Sequence, residues 1–110
     1  MSLQLPGVVE TYFKISNGGD VSGLASCFST NATVFDESKT HEGLRAIEVW
    51  TTEARRAFIY HVQPLQALHE EDSLIVTARL AGNFPGSPVE LEHTFTLAGN
   101  RICHLEIRPC

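Results

Sequence analysis

Several features are scarce in this chain, and each shortage excludes something. Positive charge is one: 8 Lys and Arg stand against 13 Asp and Glu, a formal net charge of -5 with His neutral. No basic stripe with interleaved aromatics appears. A nucleic-acid footprint is therefore not expected, nor is attraction to an anionic membrane. Long apolar runs are also missing. No stretch approaches the roughly 20 residues needed to span a bilayer. The opening "MSLQLPGVVE" has neither a basic n-region nor a long apolar h-region, so no secretory signal is expected. Cysteines number three, Cys27, Cys103 and Cys110. An odd, widely spaced set without CxxC fits neither a disulfide framework nor a zinc site. They read as reduced thiols of a cytoplasmic protein, with Cys27 and Cys103 in the core and Cys110 free.

The usual catalytic motifs are absent as well. His41, His61, His69 and His104 fall into no H-x-H or H-E-x-x-H spacing, so no metal is expected. There is no Gly-x-Gly-x-x-Gly, and Gly18, Gly19 and Asp20 read as a helix-to-helix turn instead of a phosphate loop. No Ser, Cys or Lys sits in a recognisable nucleophile motif. No cofactor is implied. Repeats, low-complexity tracts and linkers are missing too, which leaves residues 1–110 as one domain of ordinary size.

What is present is an ordinary globular balance, 43% apolar and 19% charged residues, enough to build one core without staples. The first half is helical in period. Leu5, Val8, Val9, Tyr12 and Phe13 recur at helical spacing after Pro6. Gly18 and Gly19 stop that helix, and Asp20 caps a short second one with the stripe Val21, Leu24, Ala25 and Phe28. A brief apolar run in "NATVFDESKTHEG" ends at Asp36 before a polar turn. A longer helix then runs from Leu44 to about Phe58. The second half changes to period 2: "YHVQPLQALHEED" with a break at Pro64, "SLIVTARLAG", "VELEHTFTL" and "ICHLEIRP". The order α, α, β, α, β, β, β, β gives an α+β class. Three helices must cover one face of a curved antiparallel sheet, since nothing else can bury their stripes.

The stretches "VETYFKISNGGDVSGLASCF", "NATVFDESKTHEGLRAIEVW" and "EHTFTLAGNRICHLEI" resemble the NTF2-like superfamily. That group includes the ketosteroid isomerases, the SnoaL-type polyketide cyclases and nuclear transport factor 2. The resemblance implies a cone-shaped α+β fold. It says less about activity, because this scaffold carries isomerases, cyclases, hydrolases and pure binding modules. The ketosteroid isomerases work by pKa tuning, with an Asp base and an oxyanion hole made by a Tyr and a protonated Asp. Matched position by position, the resemblance puts the base on Asp36 and the oxyanion tyrosine on Tyr12. The second acid falls on His93 if Phe95 is the family's phenylalanine, or on Glu92 if the "LAGN" turn keeps the family's length. Alternation favours His93. A strand His paired with an Asp resembles the cyclase branch more than the isomerases.

Each candidate has a plainer reading. Asp36 shares a strand face with Val34 and so points inward, where burial would raise its pKa and suit it to act as a base; it would otherwise be a turn acid. Tyr12 is either a cavity hydroxyl or a core tyrosine bonded to a carbonyl. His93 is the one polar residue on an apolar strand face, either a proton-handling group or a satisfied core histidine. Phe28, Val34, Trp50, Phe58, Tyr60, Val62 and Phe95 are the expected walls of a ligand pocket. The implied ligand is a small apolar or carbonyl-bearing molecule. The implied activity is cofactor-free isomerase or cyclase chemistry; a non-catalytic ligand-binding or dimeric assembly module is the alternative. The polar face of Glu90, Glu92, Thr94 and Thr96, beside Ile75, Thr77, Arg79 and Ala81, is the expected seat of a homodimer.

Overall fold

The computed structural model describes residues 3–110. Helix α1, Gly7–Ser16, begins where Pro6 sets a non-helical backbone angle and its carbonyl accepts from the amides of Val9 and Glu10. Val9, Tyr12, Phe13 and Ile15 are its buried residues, the face that helical periodicity marks out. The helix ends at Asn17 and Gly18, whose φ of 116° suits glycine. Gly19 has a second reason to be glycine: a Cβ there would stand 3.0 Å from the Lys14 carbonyl oxygen.

The second helical segment, Val21–Ser26, is a 3-10 helix of six residues. Asp20 caps it as expected, accepting from the Ser22 amide. The stripe differs from the expected one. Ala25 is exposed and Phe28 already belongs to the following strand. Val21, Leu24 and Cys27 face the interior instead, a spacing of three that suits three residues per turn.

Strand β1, Phe28–Asp36, is longer than the apolar run suggests. The polar stretch after it is not a simple turn. Lys39–Glu42 forms a short strand, β2, paired antiparallel with β1 so that Asp36 faces Lys39 and Val34 faces His41. The two residues between the strands, Glu37 and Ser38, both take positive φ, 50° and 64°. Tight two-residue hairpins need that geometry, and Asn-Gly is its usual signature. Glu-Ser gives no such signal, so the hairpin is hidden in the sequence.

Helix α2, Leu44–Ala57, follows Gly43. Strands β3 (Tyr60–Glu70), β4 (Ser73–Gly82), β5 (Val89–Ala98) and β6 (Arg101–Pro109) complete the chain. The sheet is curved, with order β2-β1-β6-β5-β4-β3. Neighbours are antiparallel except β1 and β6, which run parallel. Pairing of β3 with β4 shifts register between Pro64 and Gln66, because proline has no amide to give the ladder.

The alternating strands bury one face each. Leu74, Val76 and Ala78 on β4, His93 and Phe95 on β5, and Ile102, Leu105 and Ile107 on β6 are buried on the side of the sheet where Val9 and Phe13 of α1 and Ile47 of α2 complete the core. Each large apolar side chain buried there stabilises the fold by roughly 1.5–3 kcal/mol. Two polar clamps tie the helices together and to the sheet. The Asn17 amide donates to the Val62 carbonyl (2.8 Å) and accepts from the Val62 amide (2.7 Å), acting as a one-residue strand against β3. The Arg55 guanidinium donates to the Ile15 and Gly19 carbonyls, at 3.2 and 2.6 Å. Those carbonyls lie at or just past the end of α1, where helical partners run out. A cation late in α2 suits the end of its own helix, but the partners Arg55 finds belong to another one.

Cys27 is buried, Cys103 is half-buried with its thiol against the Thr96 carbonyl, and Cys110 is exposed; all three are free thiols. Among the described residues, no helix is long and apolar enough to cross a membrane.

Candidate functional site

Asp36 is the last residue of β1 and sits half-buried on the inward side, two residues beyond the fully buried Val34. Its Oδ2 accepts a hydrogen bond from the Trp50 indole N–H at 3.2 Å. Trp50 comes from α2, and its indole lies against the His41 ring from β2, centroids 5.7 Å apart. Burial pushes the Asp36 carboxyl above its ordinary range, and the Trp50 bond opposes that shift. Glu37 raises it further, while His41 and the Glu37 amide lower it. Desolvation winning over one good donor is the arrangement a carboxylate base requires.

Tyr12 is buried on α1. Its ring packs edge-on against Phe13, Phe28 and Phe95, with centroids at 5.3, 5.9 and 5.6 Å. Burial drives its hydroxyl far above the ordinary phenol range; the Ser16 hydroxyl opposes this, while Asp36 and Tyr60 add to it. The phenol therefore stays protonated, available as a donor and never as a base. Tyr60, half-buried at the start of β3, is also shifted up by burial; Arg55 opposes the shift and Asp36 adds to it. Two phenols and one carboxylate thus share an electrostatic neighbourhood at the end of the sheet.

His93 lies elsewhere, on the floor. It is 4% exposed, between Val76 and Ile107 on the neighbouring strands. Its ring stacks on Phe95 and meets Phe13 and Tyr12 edge-on, at 6.2, 5.3 and 6.5 Å. Burial lowers its pKa to about 4, against a weaker pull upward from the Leu91 and Val76 main chain. His93 is neutral at pH 7. Its Nδ1 is buried without a hydrogen-bond partner. Glu92, the competing position, is exposed on the other face of the strand. Pleating separates the two, as alternation requires.

The expected wall residues divide three ways. Phe28, Val34 and Phe95 are core, as is Val62. Trp50 and Tyr60 stand half-buried near Asp36. Phe58, just past α2, is 43% exposed and meets Phe84 edge-on, so its aromatic partner is a loop and not the Asp36 cluster. Two open cavities stand out among the described residues, and neither of these is lined by Asp36, Tyr12 or His93. One of about 710 Å³ lies on the outer face of α2, between Arg45, Val49, Thr52 and Arg56 and the 3-10 helix at Val21. The other, about 400 Å³, lies between α1 and Pro64 of β3. Around Tyr12 and His93 themselves the space holds the rings of Phe13, Phe28 and Phe95.

Periodicity gives no hint of His41 or Ser16. His41 lies in a stretch without apolar alternation. Thr51 is buried on α2 with an unpartnered hydroxyl; its place four residues on from Ile47, on the same helical face, is the available signal. Among the described residues, no three or more His, Cys, Asp or Glu side chains converge as a metal site would require.

Comparison with known proteins bears on the family and the fold. The model of the SnoaL-like domain matches residues 9–105. A Sinorhizobium meliloti protein provisionally designated a polyketide cyclase is 38% identical, covers 94% of this chain and 95% of its own, and superposes with a TM-score of 0.90. A Catenulispora acidiphila protein with a ketosteroid isomerase-like fold, solved with trimethylamine, is 20% identical over 96% of this chain and 86% of its own, TM-score 0.84. SalBIII, described as an epoxide hydrolase/cyclase-like enzyme with a role in pyran ring formation in the polyether salinomycin, is 21% identical over 94% and 88%, TM-score 0.79. The last two establish likeness of fold. A search of curated protein sequences gave no match. The chain belongs to the SnoaL-like family, with the NTF2-like fold.

Proposed function

We propose that the chain is a cofactor-independent enzyme of the isomerase or cyclase type, moving a proton next to a carbonyl of a small, largely apolar molecule. The observation that carries this is Asp36: a carboxyl raised by burial, held by one donor, in the same electrostatic neighbourhood as the protonated phenol of Tyr12. Asp36 takes the proton from the carbon next to the carbonyl. Tyr12 donates to the oxygen on which negative charge develops, a preorganised donor of the oxyanion-hole kind. His93, neutral and with an unpartnered Nδ1, is the second hydrogen-bonding group in this reading, reached by a ligand that parts the Tyr12 and Phe13 rings. Trp50 and Tyr60 are the ligand-facing walls, over a floor of Phe28, Val34 and Phe95. Phe58 belongs to the wall only if the Phe84 loop folds over the same ligand. The 38% identical relative supports the cyclase branch of this reading.

The test uses cyclohexanone in deuterated water, with α-deuterium uptake followed by NMR. Wild type should exchange above buffer, and Asp36→Asn should lose about 10²–10⁴-fold, the usual share of a general base. Equal exchange by the variant would remove the base from the mechanism.

A second reading is favoured by the packed floor: a non-catalytic binding or assembly module that works as a homodimer through the outer sheet face. That face carries Arg79 opposite Glu90 and Glu92 opposite Arg108, so its charges are matched within the plane. Half-buried Ile75, Thr77, Thr94 and Thr96 lie between them. Sedimentation showing monomer alone at micromolar concentration would rule the dimer out.

A further inference from the structure

We propose that Trp50 is the positioning residue of this site and His41 its brace: the indole N–H holds Asp36 Oδ2 from 3.2 Å, and the His41 ring, 5.7 Å from the indole and tilted by 32°, holds the indole. The proposal rests on the reading of Asp36 as the base. Three elements converge to make the device. Asp36 ends β1 immediately before the tight Glu37–Ser38 turn. That turn sends β2 back along β1 so that His41 stands opposite Val34. Directly opposed residues of an antiparallel pair share a face, and Val34 and Asp36 share theirs by alternation. His41 is therefore delivered to the side of the sheet that Asp36 occupies. Helix α2 brings Trp50 down onto both.

The physical need is clear. A carboxylate at a strand end beside a turn has free rotation about two bonds. A base works only when held close to its productive geometry. A charge-assisted bond from an indole fixes one oxygen and favours the ionised form. The groups facing Asp36 balance around this bond. Burial and Glu37, its neighbour in the turn, raise the carboxyl, while Trp50 on α2 and His41 on β2 lower it. The phenols of Tyr12 on α1 and Tyr60 on β3 feel its charge in return. Trp50 is thus the largest of the groups that oppose what burial does to the base.

The chain has a single tryptophan, so its fluorescence reads this contact directly and without a substrate. Emission should show a pH step in wild type that Asp36→Asn abolishes, because the amide can still accept the indole bond but cannot titrate. Far-UV circular dichroism over the same range confirms that the fold is intact. His41→Phe keeps the stack and should keep the step. His41→Ala removes the brace and should shift or broaden it. In the exchange assay, Trp50→Phe should lose on the order of tenfold, with the acid limb of its pH profile moved to higher pH. A wild-type emission flat with pH, a step that survives in Asp36→Asn, or a Trp50→Phe profile that does not move would each overturn the proposal. The His41 pair decides the matter if Trp50→Phe does not fold. Absence of exchange by wild type alongside an Asp36-dependent step would sink the base while leaving the indole contact standing.

Discussion

The floor around His93 and the rim around Asp36 face the same physical force with opposite results. Both are titratable groups on inward faces of one sheet. Both are shifted chiefly by loss of water, the cationic acid downward and the carboxylic acid upward, as charge type demands. They differ in what opposes the shift. Asp36 has an indole donor and stays partly open. His93 has rings on three sides and an orphaned nitrogen. The lesson is that depth sorts the roles. A group packed in aromatics is locked neutral, while one at the rim with one donor can still exchange a proton.

The largest effect should come from emptying the floor. Phe95→Ala removes a fully buried ring shared by Tyr12, Phe13 and His93. Denaturant unfolding should show a loss of about 3–5 kcal/mol. A much smaller loss would mean the floor is loosely filled and the contrast with the rim is overstated.

Next in size is the acid sensitivity of His93. Its folded pKa, about 4, lies below the ordinary 6.5, so the unfolded chain binds the proton more readily. Stability is therefore full above 6.5 and is lost as pH falls toward 4. The shift corresponds to roughly 3 kcal/mol. His93→Leu should flatten this part of the pH–stability curve, measured by denaturant midpoints between pH 7 and 4. An unchanged slope would show that other groups carry it.

At the rim, Tyr12→Phe keeps the ring in the floor and removes only the hydroxyl. The exchange assay should lose about 10²-fold with little change in melting temperature. A large fall in stability with normal exchange would move Tyr12 wholly to the floor.

The smallest effect runs the other way. Asp36→Asn should raise the melting temperature slightly at pH 7. A carboxyl with a raised folded pKa costs stability once ionised, and the cost disappears where it is protonated in both states. The gain should thus shrink as pH falls through the carboxyl range. A variant less stable than wild type at pH 7 would show that the charge is structural, and the usual trade between activity and stability would not apply here.

Much of this molecule can be read along the chain. The stripe Val9, Tyr12, Phe13, the alternation of Leu74, Val76, Ala78 and of His93, Phe95, and the cap at Asp20 all follow from local period and local hydrogen bonding. Those signals need only neighbours in sequence, and they also favour His93 over Glu92 as the inward residue, which burial then separates. The 3-10 geometry of Val21–Ser26 is harder, since spacings of three and four differ little over six residues. The β2 hairpin is hidden because Glu37 and Ser38 adopt positive φ without being the residues that usually announce it.

The sequence by itself determined the α+β class and the inward faces of the strands, because side-chain periodicity is a property of the backbone; for Asp36, at a strand end beside a turn, it left an inward base and a turn acid both open. Only the tertiary structure decided which partners met. Trp50 and Asp36 are brought together across a helix and a strand, and Arg55 reaches carbonyls at the end of a different helix. The rings of Tyr12, Phe13, His93 and Phe95 close the floor from α1 and β5. Such contacts depend on how the sheet curves over the helices, and curvature arises from all the strands acting together, so no single stretch of sequence carries it.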